Sequence, residues 1–573
     1  LTYLIEAIER AANQSGSVTF LDGTDVQRVE WSKLYDDALR LSAALQEIGA
    51  GSGHPLGILA PTSRPAVVAA LAGWLAGTSV TFLPSPARAT TPAGYLAATR
   101  ARLDYLGEPV VLVGDPWTGA IDGLTRPGRV VTDLPGVLST ALAGPEPITM
   151  VPAGSDDDPA ILQLTSGTTG AAKIVQISYA NLAANIDAIK RATGHESIHG
   201  RMLSWLPLSH DMGLVGSLLM PLTCGRCDVI LSSPADFLAR PAEWMRRVDR
   251  HRATATVGPN AAYALAARLL ATGPTLDLSS LRCALSGGEL IDPDVVDAFT
   301  AAGSRHGLDP ATFVPAYGMA EATVAVAISP VGHGLRCDVV GAEDLERHGI
   351  AVPMPDGAAP GAPARPGISV SNEGRTPPPA GRVRRIPLLG SPVQGLEARI
   401  VDQTTGRPIP ERQVGEIQVR GTSVTAGYRG DAETTSARFL PEGWLRTGDL
   451  GYQAGGELAV TGRMKDVVIL AGRNIYPDEV ERAAARVPGV RPGNAVAFGF
   501  ARRGPLGDGE GLAIAVESRT DDPERVRTLV LDEVQAALGI MPHAVVVLSP
   551  GSIPKTPSGK LQRAEAARRF TPR

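Results

Sequence analysis

Along most of the chain, short apolar runs alternate with stretches in which apolar positions recur every three or four residues. In residues 32–48, Leu34, Ala38, Leu41, Leu45 and Ile48 fall on one face and predict an amphipathic helix. Short apolar runs at 110–113, 254–257, 281–285 and 312–314 read as buried strands, and several lead through glycine-bearing turns into helical patterns. This alternation predicts an α/β protein with largely parallel sheets, whose strand-end loops carry function. The most continuous apolar stretch, 65–84, is interrupted by Gly73, Gly77, Thr78 and Ser79. It predicts a buried helix followed by a buried strand and no membrane span.

Two stretches break the rhythm. Residues 353–380 hold eight prolines and four glycines, so no regular helix can form and an exposed loop or insertion is expected. After Thr461-Gly462 comes a last region of small-domain size. It has its own strand patterns at 495–500 and 512–517 and a helical one at 526–538.

Composition narrows the classes. A chain of 573 residues with 44% apolar content can build several cores. A formal net charge of −5 with 20% charged residues shows no basic excess for nucleic acid and no acidic arm. The N-terminus lacks a basic segment followed by an apolar one, so no signal peptide is expected. Of four cysteines, Cys224 and Cys227 form a CxxC pair without the second pair or histidines a zinc site needs. Reduced thiols in a cytoplasmic protein are the expected state.

The first chemical signal is Thr165-Ser166-Gly167-Thr168-Thr169-Gly170, closed by Lys173 and preceded by the apolar run 160–164. A loop of this composition offers N–H groups and hydroxyls to phosphate oxygens, and its glycines permit close approach. It is not a Walker A loop, because GxxxxGK[ST] is not satisfied. Four further segments follow in order. They are Pro315-Ala316-Tyr317-Gly318-Met319-Ala320-Glu321, Arg446-Thr447-Gly448-Asp449, the pair Gly462–Asp466 with Gly472–Pro477, and a terminal segment from Ile553 to Lys560.

Together these segments resemble the core motifs of the adenylate-forming superfamily of acyl-CoA synthetases, peptide-synthetase adenylation domains and luciferases. The resemblance implies a large N-terminal domain over 1–462 and a smaller, mobile α+β lid over 463–573 that pivots at Lys465. It implies activation of a carboxylic acid by ATP and Mg²⁺. Thr165, Ser166, Gly167, Thr168, Thr169, Gly170 and Lys173 would hold the β- and γ-phosphates. Gly287, Gly288 and Glu289 would flank the nucleotide. In the segment of Ala316, Tyr317, Gly318, Met319 and Ala320, Tyr317 would stack on adenine. Glu321 would hold the metal, Asp449 and Arg463 would contact the ribose, and Lys560 would bridge the forming acyl-phosphate bond. The chemistry suits these roles, since such a reaction needs groups positioned and charge neutralised.

The run Trp205–Gly213 resembles the corresponding motif of fatty acyl-AMP ligases. Ala320 before Glu321 and the long join from Glu321 to Gly390 suit the same branch, which carries an insertion near 335–385 that hinders lid rotation. His210, with Lys560 and Glu321, would then be catalytic. The acid would meet His210, Asp211, Met212, Gly213, Gly258 and Tyr263. Asp211 could instead hold the ammonium of an amino acid, although the other pocket stretches are small and apolar and favour a hydrophobic acid. The expected acceptor is a separate acyl carrier protein or another thiol, in fatty-acid or natural-product biosynthesis. Two alternatives remain: a complete acyl-CoA ligase, and a non-catalytic nucleotide-binding scaffold. The intact Lys560 and Glu321 argue against the scaffold.

Overall fold

The computed structural model describes residues 2–51, 53–86, 91–107, 109–144, 154–165, 173–194, 200–355, 382–470, 472–502, 509–555 and 559–571. Among them, two large sheets dominate. The first has six strands in the spatial order Val131–Asp133, Val110–Val113, Leu56–Leu59, Val80–Phe82, Pro159–Thr165 and Lys173–Ser178. The second has eight: Ala325–Ile328, Phe313–Gly318, Cys283–Ser286, Ala255–Gly258, Arg201–Ser204, Asp228–Ser232, Ser17–Asp22 and Asp25–Glu30. All neighbours are parallel except the Lys173–Ser178 edge of the first sheet and the two edges of the second. The mixed α/β architecture read from the alternating pattern is therefore present.

Local rules account for the elements. The periodic stretch forms the helix Trp31–Glu47, with Leu34, Ala38, Leu41 and Leu45 buried on one face. The apolar stretch after residue 64 forms the helix Arg64–Leu75, in which every residue from Ala66 to Leu75 is buried, followed by the strand Val80–Phe82. A helix apolar all round belongs inside a core. Trp74 completes its burial by donating its indole N–H to the Ala160 carbonyl at 2.9 Å. Among the described residues no helix is long and apolar enough to cross a membrane.

A four-stranded antiparallel sheet follows, built from Leu396–Val401, Gly415–Gly421, Leu445–Ala454 and Glu457–Arg463. Arg463 is its last residue, paired in register with Asp449. The sheet therefore keeps Arg463, and the chain turns away only at Met464–Asp466. Beyond that turn lie the hairpin Val468–Leu470/Arg473–Ile475 and a three-stranded sheet of Val490–Arg502, Gly509–Ser518 and Ala544–Leu548. Their apolar residues form cores of their own, one around Val480, Leu512, Ile514 and Val530 and another around Val496, Phe498 and Ile553.

The insertion-like segment begins with the strand Cys337–Gly341 and the helix Ala342–His348, and returns as Val383–Pro387 to pair antiparallel with Cys337–Gly341. Residues 356–381, most of the Pro/Gly run, lie outside the described residues. The segment meets the C-terminal region through charge. Glu346 accepts two hydrogen bonds from Arg473, at 2.6 and 3.1 Å. Arg384, 6% exposed, stacks 4.3 Å from the Tyr476 ring, donates to the Thr461 carbonyl at 3.2 Å and pairs with Glu479 at 3.2 Å.

Burial pushes the Glu479 carboxyl above its ordinary range, and Arg384 is the main force opposing that rise. Arg384→Ala is expected to destabilise the fold by about 3–5 kcal/mol at neutral pH, the usual cost of stranding a buried charge. A group whose folded pKa is raised loses stability as pH climbs through that value. The deficit should thus be largest at high pH and shrink as pH falls toward the ordinary carboxylate range, where Glu479 takes a proton. Melting curves of both proteins across this range check it; a deficit independent of pH would exclude Glu479 as the stranded group.

Candidate active site

A cavity of about 1280 Å³ lies where the parallel strands of the eight-stranded sheet end, against the four-stranded sheet and the C-terminal region. Two glycines shape it. After the strand Cys283–Ser286 the chain turns through Gly287 and Gly288, and Gly288 sits at φ +79°. A Cβ there would also lie 3.2 Å from Lys560 Nζ, so the glycine keeps room for that ammonium. After Tyr317, a Cβ on Gly318 would lie 1.8 Å from the Val324 carbonyl oxygen. Only a glycine lets the chain fold back so tightly, and the short helical turn Ala320–Ala322 then presents Glu321.

On one side of the cavity, the Tyr317 hydroxyl donates to Asp449 Oδ2 at 2.7 Å, and Arg463 Nε lies 3.3 Å from Asp449 Oδ1. Burial pushes the Asp449 carboxyl up, while Arg463 and the tyrosine bond pull it down. Burial, then the Asp449 charge, raises the Tyr317 hydroxyl well above its ordinary value, so it stays a donor.

On the other side, Lys560 Nζ lies 3.1 Å from His210 Nε2, and His210 Nδ1 lies 2.6 Å from Asp211 Oδ1. The tautomer with Nδ1–H toward the carboxylate leaves the Nε2 lone pair for the ammonium, while the Met212 N–H also points at Nδ1, at 3.3 Å. Asp211 also accepts the Met212 N–H at 2.7 Å and caps the π-helix Met212–Leu219. Burial works to raise the Asp211 carboxyl, but His210, Lys560 and the Met212 bond outweigh it and hold it below its ordinary range. Burial lowers Lys560, against the pull of Asp211 and Glu289. The bonds from His210 and Met212 both land on Asp211 Oδ1, and Asp211 lines the cavity.

Around Glu321 stands a cluster absent from the sequence reading. Glu321 Oε1 accepts the Tyr428 hydroxyl at 2.6 Å and Arg438 Nη1 at 2.9 Å. Arg438 is fixed by donating to the carbonyls of Arg446 and Thr447. Lys173 Nζ stands 5.1 Å from the centroid of the Tyr428 ring. Nothing in the spacing of Tyr428 or Arg438 points to Glu321, 107 and 117 residues away.

The remaining expected residues divide. Thr165, Lys173, Gly287, Gly288, Glu289, Ala316, Met319, Ala320 and Met212 line the cavity, and so does Lys465 in the turn after Arg463. Glu289 accepts the Ala261 N–H at 2.8 Å. Ser166, Gly167, Thr168, Thr169 and Gly170 lie outside the described residues. Three expectations about the substrate wall are corrected. Tyr263 is fully buried, donates to the Leu285 carbonyl at 3.0 Å and packs among Trp244, Phe299 and Phe313, so it is a core residue. Gly258 faces Trp244, and Gly213 abuts the Pro207 carbonyl. The apolar wall is built instead by Met212, Gly216 and Met220 of the π-helix and its continuation, by Ile189, and by Val257 and Leu285 of the sheet.

Comparison with known proteins fits this geometry. The family model described as "AMP-binding enzyme" matches residues 8–361 and 362–429. The chain is 39% identical over 555 residues to the putative ligase Rv1013 of Mycobacterium tuberculosis, covering 94% of each. It is 34% identical over 432 residues to the medium-chain-fatty-acid–[acyl-carrier-protein] ligase JamA of Moorena producens, covering 73% of this chain and 68% of that one. A solved structure from studies of fatty acyl-adenylate ligases of E. coli and L. pneumophila superimposes with a TM-score of 0.83 at 31% identity, covering 99% of this chain and 97% of that one.

Proposed function

This chain belongs to the AMP-binding enzyme family, and we propose that it uses ATP to convert a hydrophobic carboxylic acid to its acyl-adenylate. The observation that carries the reading is the position of Lys560, at His210 and Gly288, in the same cavity that the apolar residues and Tyr317, Asp449 and Arg463 line. An acid in the apolar arm and a nucleotide on the other side would meet at that ammonium.

In this reaction a carboxylate oxygen attacks the α-phosphorus, the bond to the pyrophosphate oxygen breaks, and acyl-AMP and pyrophosphate result. Lys560 neutralises charge where the two anions approach, and His210, held by Asp211, orients that ammonium. Asp449 and Arg463 take the ribose hydroxyls, and Tyr317 takes the base. Thr165 and Lys173 flank the loop that would take the terminal phosphates. The donor set fits Mg²⁺, a hard cation that binds through one or two carboxylates plus phosphate oxygens and waters. Glu321 offers one buried carboxylate, and among the described residues no group of three His, Cys, Asp or Glu forms an all-protein cage. Bound there, the ion would neutralise phosphate charge.

The acid is a long one. The cavity touches both ends of the same parallel strands, at Gly287 and Gly288 and again at Thr254, Ala255 and Cys283. A strand of this length spans roughly 13 Å. Gly216 lies inside a helix, yet nothing stands within 4 Å of where its Cβ would be. The open space beside it belongs to the cavity, which Gly216 lines.

We place the lid at about 463–573 with its pivot at Lys465. Its separate cores and the turn at 464–466 support this. The bonds from Glu346 and Arg384 to this region resist its rotation, which favours acyl-AMP as the end product without a partner. The likeness to an acyl-carrier-protein ligase supports a separate carrier as acceptor.

Four outcomes are expected. ATP–pyrophosphate exchange screened over fatty, aryl and polycyclic acids should be strongest with long fatty acids. With CoA present, acyl-AMP should accumulate; rapid stoichiometric thioester would make the protein a complete acyl-CoA ligase. Lys560→Ala should slow exchange by about 10²–10³ with an unchanged melting curve, and a loss of only a few-fold would remove Lys560 from the reaction. Gly216→Trp should cost about tenfold or more in kcat/KM for long acids while sparing short ones. Equal losses at every chain length would show that the acid does not pass Gly216.

A further inference from the structure

The charged groups expected at the phosphates and the metal come from separate segments, Lys173 from an edge strand and Glu321 from the turn after Gly318, and Arg438 joins Glu321 from the end of the helix Ala432–Arg438. Tyr428 touches all three. Its ring takes Lys173, 5.1 Å from the centroid. Its hydroxyl donates to Glu321 Oε1 at 2.6 Å and accepts from Arg438 Nη1 at 2.6 Å. We propose that Tyr428 is a positioning residue that aligns Lys173 and Glu321 on a single rigid ring, so that the phosphate-binding lysine and the metal-binding carboxylate are set at a fixed separation before MgATP arrives. The proposal rests on the reading of Glu321 as the metal carboxylate.

The ring is held well enough to act this way. The backbone of 427–429 adds to the strand Lys173–Ser178: Arg429 N–H donates to the Ile174 carbonyl at 2.8 Å and Gln176 N–H to the Gly427 carbonyl at 3.2 Å. Tyr428 therefore rides on the strand that carries Lys173. Its own N–H donates to Thr435 Oγ1 at 3.0 Å, and its ring packs edge-on against Phe439 with centroids 5.8 Å apart. The Glu321 backbone is tied in as well, its carbonyl accepting the Thr425 N–H at 2.9 Å. Only 4% of the tyrosine is exposed. Burial, followed by the Glu321 charge, raises its hydroxyl, so it remains protonated and donating.

Chemistry divides the two jobs. Both side-chain bonds to Glu321 land on Oε1, so the carboxylate is oriented while Oε2 is not used by either. Groups that hydrogen-bond a metal ligand set its direction and basicity. The ring face attracts the ammonium by cation–π interaction, which fixes Lys173 without consuming its N–H donors. Hydroxyl and ring can be removed separately.

The test is calorimetric titration of the full-length protein with ATP, at a series of MgCl₂ concentrations and with EDTA, for the parent, Tyr428→Phe and Tyr428→Leu. Neither the acid substrate nor turnover enters this measurement. Tyr428→Phe keeps the ring: metal-free ATP affinity should stay within twofold, while the Mg²⁺ concentration giving half the metal-dependent gain should rise about tenfold. Tyr428→Leu should show the same metal shift and lose a further two- to fivefold or so in metal-free affinity, the scale of a cation–π contact. Melting curves accompany each, and Tyr428→Phe, lacking one atom, is the variant that decides if the leucine protein melts early. A phenylalanine variant with the parent's Mg²⁺ dependence overturns the proposal. So does one that weakens metal-free and metal-bound affinity equally, because that is general loosening. A parent whose ATP affinity ignores Mg²⁺ overturns the reading of Glu321 and this proposal with it, whereas a parent that responds to Mg²⁺ with an unchanged phenylalanine variant leaves that reading standing.

Discussion

An ammonium group must leave water and enter a site already crowded with carboxylates. Lys560 does so at the far end of the chain, beside His210, and Asp211 and Glu289 pull against the burial that lowers its affinity for a proton. Taking one ion out of water costs several kcal/mol unless partners receive it. The partners are therefore in place beforehand. Asp211 is fixed by the first N–H of the π-helix, His210 is fixed by Asp211, and the Nε2 lone pair meets the lysine. Gly288 gives up its side chain so that the lysine can pass. Much of the remaining architecture serves to deliver that one charge.

Delivery depends on arginines within the C-terminal region and at its seam. Arg563, three residues beyond Lys560, bonds Glu481 at 2.8 and 3.0 Å and lies 3.3 Å from Asp466 in the turn after Arg463. Arg384 and Glu346 of the insertion-like segment reach the same region from the other side. Polar contacts of this kind hold two bodies in one relative orientation without welding them, since each group can be rehydrated if they separate. An apolar seam of equal size would resist parting by a different force, the exposure of greasy surface to water. The cavity lies between these bodies, so its shape belongs to this orientation.

Much of the fold could be read along the chain because its signals are local. Periodicity placed the helix Trp31–Glu47, and continuous apolarity placed the buried helix Arg64–Leu75 and the strands beside it. The glycines of the Pro315–Glu321 segment announce a sharp turn, and Gly318 makes one. The misreadings share a cause. Tyr263 and Gly258 stand in an apolar stretch that looked like a pocket wall, but an apolar residue one position along a helix can face either cavity or core. Tyr263 faces Trp244, Phe299 and Phe313. Its neighbours Ala261 and Ala264 face the cavity. Arg463, at the head of the expected lid, is the last residue of the four-stranded sheet, in register with Asp449.

By itself the sequence determined the alternation of elements, the order of the glycine-rich and charged segments, and the family those segments resemble, because each is carried by residues adjacent in the chain. Tertiary structure alone decided which distant groups meet. Tyr428 and Arg438 join Glu321 across more than a hundred residues, and Lys560 reaches His210 across 350. It also decided that Asp211 meets His210 and the Met212 N–H, and that Gly216 lines the cavity. The physical reason is one of range. Backbone preferences and side-chain periodicity act over a few residues, whereas hydrogen bonds and ion pairs act over a few ångströms of space, and only the folded chain converts one distance into the other.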